Sequence, residues 1–200
     1  MVTDIDTRFL EGLAGGPLEV HRHDISSDPV PSSSFDLVHA RAVLEHVPGR
    51  REVIPKLVSA LRPGGTLVLE DVVVGVPRRR RGSVRSALAM PRQAWAARWT
   101  LWPLASGPSA RIPCSAWKLP ALLAGAGLDQ IAADITFSLV RGGSKAAQFY
   151  GLSIAELGDR LIAAGLLSQQ DVDTLEEFCQ QPESRWFSIG IVSAIGRRAG

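Results

Sequence analysis

An α/β fold with a mostly parallel sheet is predicted by three observations. Two short β-prone runs, Phe35–Val38 and Thr66–Leu69, flank a helical stripe of Val53, Ile54, Leu57, Val58 and Leu61. Strand, crossover helix and strand form a unit whose strands lie parallel and whose crossover is right-handed. The turn Arg62-Pro63-Gly64-Gly65 ends that helix and returns the chain to the sheet, because Pro cannot continue a helix and Gly tolerates positive φ. Finally, the same alternation of apolar runs and turns precedes the unit, as parallel α/β sheets require. Ligands of such sheets sit at the carboxyl ends of the strands, which directs attention to Asp4–Asp6, His23–Ile25, His39–Arg41 and Glu70–Asp71.

In chain order, Met1–Ile5 reads as a strand end with carboxylates at its tip. Thr7 caps a short helix lined by Phe9, Leu10 and Leu13, and Gly15-Gly16-Pro17 closes it. Leu18–Arg22 is a second strand, followed by a loop over 29–34. Pro55 lies inside the crossover helix, so the helix is expected to start near Ile54 or to bend there, since an internal Pro costs about 3 kcal/mol. Residues 75–113 leave the pattern and form an insertion. Trp95, Trp99 and Trp102 fall on one helical face of it, as expected of a substrate lid or of ordinary core. Ser115 caps a helix over 117–124, and Leu128–Val140 is a strand. Residues 145–182 form a helical hairpin with start signals at Ser153–Glu156 and Ser168–Asp171. Trp186–Ile195 is a final buried strand with Gly190 as its weak point. The whole, 1–200, reads as a single domain.

Composition narrows the function classes. The 200 residues are 46% hydrophobic, enough for a real core, and no stretch has the roughly 20 continuous apolar residues of a membrane span. No secretory signal is evident, and Cys114 and Cys179 lack metal-ligand spacing, so a reducing cytoplasmic setting without a metal site is expected. Nine of the 22 basic residues fall between Val72 and Leu128, where there is no Asp or Glu, leaving 13 against all 20 acidic residues elsewhere. Such asymmetry suits a docked cap or an anionic partner, and 78–102 also fits peripheral contact with an anionic membrane. Nucleic acid is not expected, because Arg78–Arg81 lacks a reading motif.

Three blocks in order carry a family resemblance: Val2-Thr3-Asp4-Ile5-Asp6; His23-Asp24-Ile25 with Ser34–Arg41; and Leu44-Glu45-His46-Val47-Pro48 with Leu61–Glu70. Together they resemble the class I S-adenosylmethionine-dependent methyltransferases of small-molecule type. The resemblance implies a Rossmann-like sheet, S-adenosyl-L-methionine as cofactor and a small-molecule methyl acceptor, and the Trp faces of the insertion suit an apolar or aromatic one. It places Asp4 with Ile5 at the ribose, Asp24 with Ile25 at the adenine, and His39, Ala40 and Arg41 at the methionine end. His46 becomes the candidate catalytic base, since imidazole titrates near neutrality. The roles have plainer counterparts: Asp4, like Asp6, as a turn or cap residue, and His46 as packing at the helix entrance. A non-catalytic binding module on the same sheet and a nicotinamide-dependent oxidoreductase are the competing functions, and the Leu-Arg-Pro-Gly-Gly turn favours methyl transfer over the latter.

The family pattern also calls for a first strand and a Gly-rich turn ahead of Val2. Gly15-Gly16 and Gly64-Gly65 do not serve, because both are helix-to-strand turns. The expected consequence is a gap or a new pairing in the sheet. Three explanations stand: an N-terminally truncated chain, a degenerate relative, or a strand from a partner chain. The first carries the expectation that this chain alone binds the cofactor poorly and an upstream-extended one binds it well.

Overall fold

A computed structural model describes residues 1–13, 15–47, 49–73 and 116–200. The insertion with its Trp stripe and Arg run lies outside the described residues, as does Ser115.

The crossover unit is as the sequence predicts. Strand β3 (Phe35–Arg41), helix α1 (Arg50–Ala60) and strand β4 (Leu61–Val73) follow in order, and β3 pairs parallel with β4. Helix α1 buries Val53, Ile54, Leu57 and Ala60, four of its 11 residues. It starts four residues before the expected Ile54. Pro55 is its sixth residue and forfeits one backbone hydrogen bond without ending the helix. The glycine turn is built into β4 itself. Phe35 pairs with Leu61 and Leu37 with Thr66, so Arg62–Gly65 bulge out of the ladder. Gly64 takes φ 78°, and a Cβ on Gly65 would meet the carbonyl oxygens of Arg62 and Asp36 at 2.9 and 3.2 Å.

Strand β5 (Leu128–Thr136) and strand β8 (Gly190–Arg198) complete a four-stranded sheet ordered β3-β4-β8-β5. Since β8 is antiparallel to both β4 and β5, the other three strands run the same way. One face of this sheet is the core. Leu61, Leu67, Leu69, Val192 and Ala194 are buried there with α1 and with helix α2 (Leu119–Gly125), which adds Leu119 and Leu123. Each such side chain contributes roughly 1.5–3 kcal/mol. The other face carries Leu37, His39, Arg41, Val68, Glu70, Ser193 and Ile195, by the alternation of the strands.

The expected gap is found. Strands β1 (Val2–Asp4) and β2 (Val20–Arg22) pair in parallel as a separate two-stranded sheet, so β1 has no ladder to β3 among the described residues. Between them lie two single 3-10 turns, Thr7–Phe9 and Glu11–Leu13, in place of the expected helix. Asp6, rather than Thr7, caps the first by accepting from Arg8 N–H.

The last third differs from expectation in detail. Leu128–Val140 splits into β5 and β6 (Leu139–Arg141), and Trp186–Ile195 splits into β7 (Arg185–Phe187) and β8; β6 pairs with β7. At the break, Ser138 N–H donates to Ser188 Oγ and Ser188 N–H to Ser138 O. Gly190 opens β8, and a Cβ there would stand 2.6 Å from the Phe137 ring and 2.7 Å from Val73, so the close approach needs glycine. Helix α3 (Lys145–Ala163) starts at the Ser144 cap. Ser153 lies within the helix and donates back to Phe149 O instead of capping. Helix α4 (Gln169–Gln180) opens with the predicted Ser168–Asp171 capping box. This hairpin packs a second core of Val140, Leu161, Leu175 and Trp186. No helix among the described residues is long and apolar enough to cross a membrane.

Candidate active site

The acidic tips of β1 and β2 come side by side. His23 N–H donates to Asp4 O at 2.9 Å, which carries the parallel pairing past the strands themselves. Asp4 Oδ1 accepts from Asp6 N–H at 2.9 Å, and Ile5 is exposed. Asp24 accepts from Ser26 N–H at 2.9 Å and from Ser26 Oγ at 2.5 Å, and these bonds hold its carboxyl below the usual range. Both carboxylates therefore also have the turn-forming roles that short polar side chains take in loops. Ile25 packs against the main core, and Lys56 Nζ of α1 donates to the carbonyls of Ile25 and Asp28 at 2.9 Å each. This lysine, which the sequence did not single out, ties the Asp24 loop to the crossover helix.

At the tip of β3 the three predicted residues separate by face. Ala40 lies against the core, whereas His39 and Arg41 project to the opposite side. There Glu70 gathers them: His39 Nε2 donates to Glu70 Oε2 at 2.8 Å, and Arg41 Nη1 lies 3.8 Å from the same oxygen. Ser193 Oγ donates to Glu70 Oε1 at 2.7 Å. Ser193 and His39 hold the Glu70 carboxyl below its ordinary range, with Arg41 adding to the effect. Glu70 is thus an ionised hub shared by β3, β4 and β8.

A second acidic pair, on the core side, comes from the turn Leu44–His46. Strand β3 stops at Arg41 while β4 runs on to Val73. Glu45 fills the vacated ladder position, its Oε2 accepting from Val72 N–H at 2.7 Å. In return, the Asp71 carboxylate accepts from the backbone N–H groups of Glu45 and Leu44. These are free first-turn donors of a turn that has no side-chain cap of its own. Burial drives both carboxyls up, Glu45 to about 7 and Asp71 to about 6. Asp71 also adds to the rise at Glu45, while Arg50 offsets part of the rise at Asp71. Asp71 Oδ2 has no hydrogen-bond partner among the described residues. His46 stands beside the pair, its Nε2 3.4 Å from Glu45 Oε1, and burial lowers its pKa. In the sequence Glu45 stands within the block Leu44–Pro48, where the resemblance gives it no role, and its place in an otherwise apolar run is the signal of burial. No group of metal-ligating side chains occurs among the described residues.

With this geometry in place, comparison with known proteins is informative. Residues 2–69 match the family model of a methyltransferase domain. Curated relatives match over short segments. The methyltransferase str3 of Strobilurus tenacellus is 43% identical over 44 residues, 22% of this chain and 16% of its own length. The 27-O-demethylrifamycin SV methyltransferase of Amycolatopsis mediterranei is 46% identical over 46 residues, 23% of this chain and 17% of its own. The chain thus matches about a sixth of each curated relative. Among solved structures, YcgJ of Bacillus subtilis shares 18% identity with a TM-score of 0.52, covering 96% of this chain and 76% of its own. A Bacillus halodurans protein described as a candidate methyltransferase shares 15% with a TM-score of 0.52, covering 97% and 77%. At these identities the structures speak to the fold alone. Residues 2–69 are thus similar to a methyltransferase domain, and the chain shares the Rossmann-like α/β fold of the class I methyltransferases.

Proposed function

We propose that this chain carries S-adenosyl-L-methionine-dependent methyl transfer to a small apolar or aromatic molecule. The observation that carries the reading is the family match over 2–69 falling on strands whose carboxyl ends bear the polar side chains. Asp4 suits the vicinal ribose hydroxyls, both donors, and Asp24 suits the adenine amino group, with Ile25 beside the ring. His39 and Arg41, gathered by Glu70, would meet the methionine end beside Ala40. The acceptor would approach His46 at the turn after β3.

Bound S-adenosyl-L-methionine supplies an electrophilic methyl on sulfur. An in-line displacement of that kind depends mainly on holding the reacting atoms in line. The chain's own contribution beyond positioning is a proton acceptor. With its pKa lowered by burial, His46 is neutral at neutral pH and able to take the proton of a hydroxyl acceptor. The Trp content of 75–113 suits an apolar or aromatic acceptor, and the Arg content of 78–102 suits peripheral membrane contact.

Calorimetric titration with S-adenosylhomocysteine, repeated on Asp4→Asn and Asp24→Asn, tests this reading. Binding weakened about tenfold or more by each substitution supports it. Binding by the parent that neither substitution changes removes both residues from the site. A second reading, a binding module without transfer, draws on the separation of β1–β2 from the main sheet. Binding without transfer of labelled methyl to any of a set of phenols and hydroxylated apolar compounds would favour it.

A further inference from the structure

Glu45 and Asp71 are buried carboxylates that the reaction as proposed does not use. Each satisfies the other's backbone. Asp71, from the end of a strand, caps the turn Leu44–His46, and Glu45, from that turn, extends the ladder of the strand through Val72. Only 6% of Glu45 and 1% of Asp71 is exposed, so neither is a solvated surface acid. A buried carboxylate is costly unless its bonds are made, and a reciprocal grip of this kind admits one arrangement of the turn. The residue carried at the end of that turn is His46, with its ring against Glu45 Oε1.

We propose that Glu45 and Asp71 are positioning residues for His46, and that their reciprocal grip fixes the direction in which its imidazole points. The inference rests on the reading of His46 as the acceptor-side base. The pair and the charged groups facing it come from three elements: Glu45 and His46 on the turn itself, Asp71 on β4 and Arg50 on α1. When the pair ionises, the added negative charge lies beside the ring and favours its protonated form. When the pair holds a proton, that pull is relieved. The imidazole and the clasp therefore titrate together rather than independently.

The test is NMR titration of the full chain with labelled histidine, the His46 resonance being assigned among the four by His46→Gln. The parent is expected to show two inflections at His46, one for the ring and one for the pair. Glu45→Gln keeps an oxygen for Val72 N–H while removing the charge. It should leave a single inflection, displaced to lower pH by the loss of the neighbouring carboxylate. Glu45→Ala should in addition move and broaden the ring signals as the turn loosens, with restoration in Glu45→Gln. Asp71→Asn should also alter the curve; if that variant fails to fold, Glu45→Gln alone decides. Superimposable His46 curves in the parent and Glu45→Gln overturn the proposal. Failure of the methyl-transfer reading is visible separately: His46 would follow the clasp, yet His46→Gln would leave transfer by the protein unchanged.

Discussion

The residues before Leu44 and those from Leu44 to Leu69 are joined in one family match, but they are held in different ways. Before Leu44, no residue with a described side chain is buried. From Leu44 onward the core begins, with Leu61, Leu67 and Leu69 fully enclosed. All seven residues proposed for the cofactor lie in the first region. The proposed recognition would be carried on a thinly anchored margin, whereas buried side chains gather on the crossover helix and the strand that follows. Local opening in a protein concentrates where buried apolar contacts are few, and binding loops are commonly drawn from there.

The largest expected contrast is in denaturation. Leu69→Ala should cost about 2–5 kcal/mol through the lost side chain and the cavity. Val20→Ala in β2, at a half-buried position, should cost under about 1 kcal/mol. Similar urea midpoints for the two variants would dissolve the contrast. Hydrogen exchange should grade it more finely: the amides of Val2–Asp4 and Val20–Arg22 should exchange at least tenfold faster than those of Leu67–Leu69.

Acid and alkali should separate the regions by sign. Glu45 and Asp71 have raised pKa values, so their contribution is fully present below the unfolded carboxylate range. It is lost as pH rises through about 6 and 7. Asp24 and Asp28 have lowered values, so their contribution is present above the unfolded range and is lost as pH falls through the folded values. Thermal melts from pH 5 to pH 8 should show a declining stability that flattens in Glu45→Gln. The smallest effect is expected at Asp6, whose carboxyl is held down to about 2 by Arg8 on an open surface. Asp6→Asn should leave the melting midpoint unchanged within error, because exposed pairs are screened.

What the sequence made legible follows the same division. The stripe Val53–Leu61 and the Gly64-Gly65 turn predicted the crossover unit because burial and backbone geometry are local and periodic. The separation of β1 from β3 agrees with one of the two outcomes, a gap or a new pairing, that the sequence leads one to expect. The clasp was invisible because Glu45 and Asp71 are 26 positions apart, and only the overrun of β4 past β3 brings them together. Glu70 was noticed as an acid at a strand tip, but its partner Ser193 arrives from the far end of the chain. Ser153 misled for a related reason: a Ser-x-x-Glu pattern reads alike at a helix start and within one, and the true start at Ser144 depends on the β6 turn before it.

The place of β8 has a consequence for how the molecule is made. Strand β4, at residues 61–73, takes its second neighbour from residues 190–198, and β5 pairs with that same strand. During synthesis, then, one flank of β4 and one of β5 stay open until residues 190–198 have left the ribosome. At about 5–20 residues per second, the 116 residues between Val73 and Gly190 correspond to roughly 6–23 seconds of waiting. For that interval the nascent chain presents apolar strands with unsatisfied amides, the state in which chaperones and neighbouring chains compete most effectively for a protein.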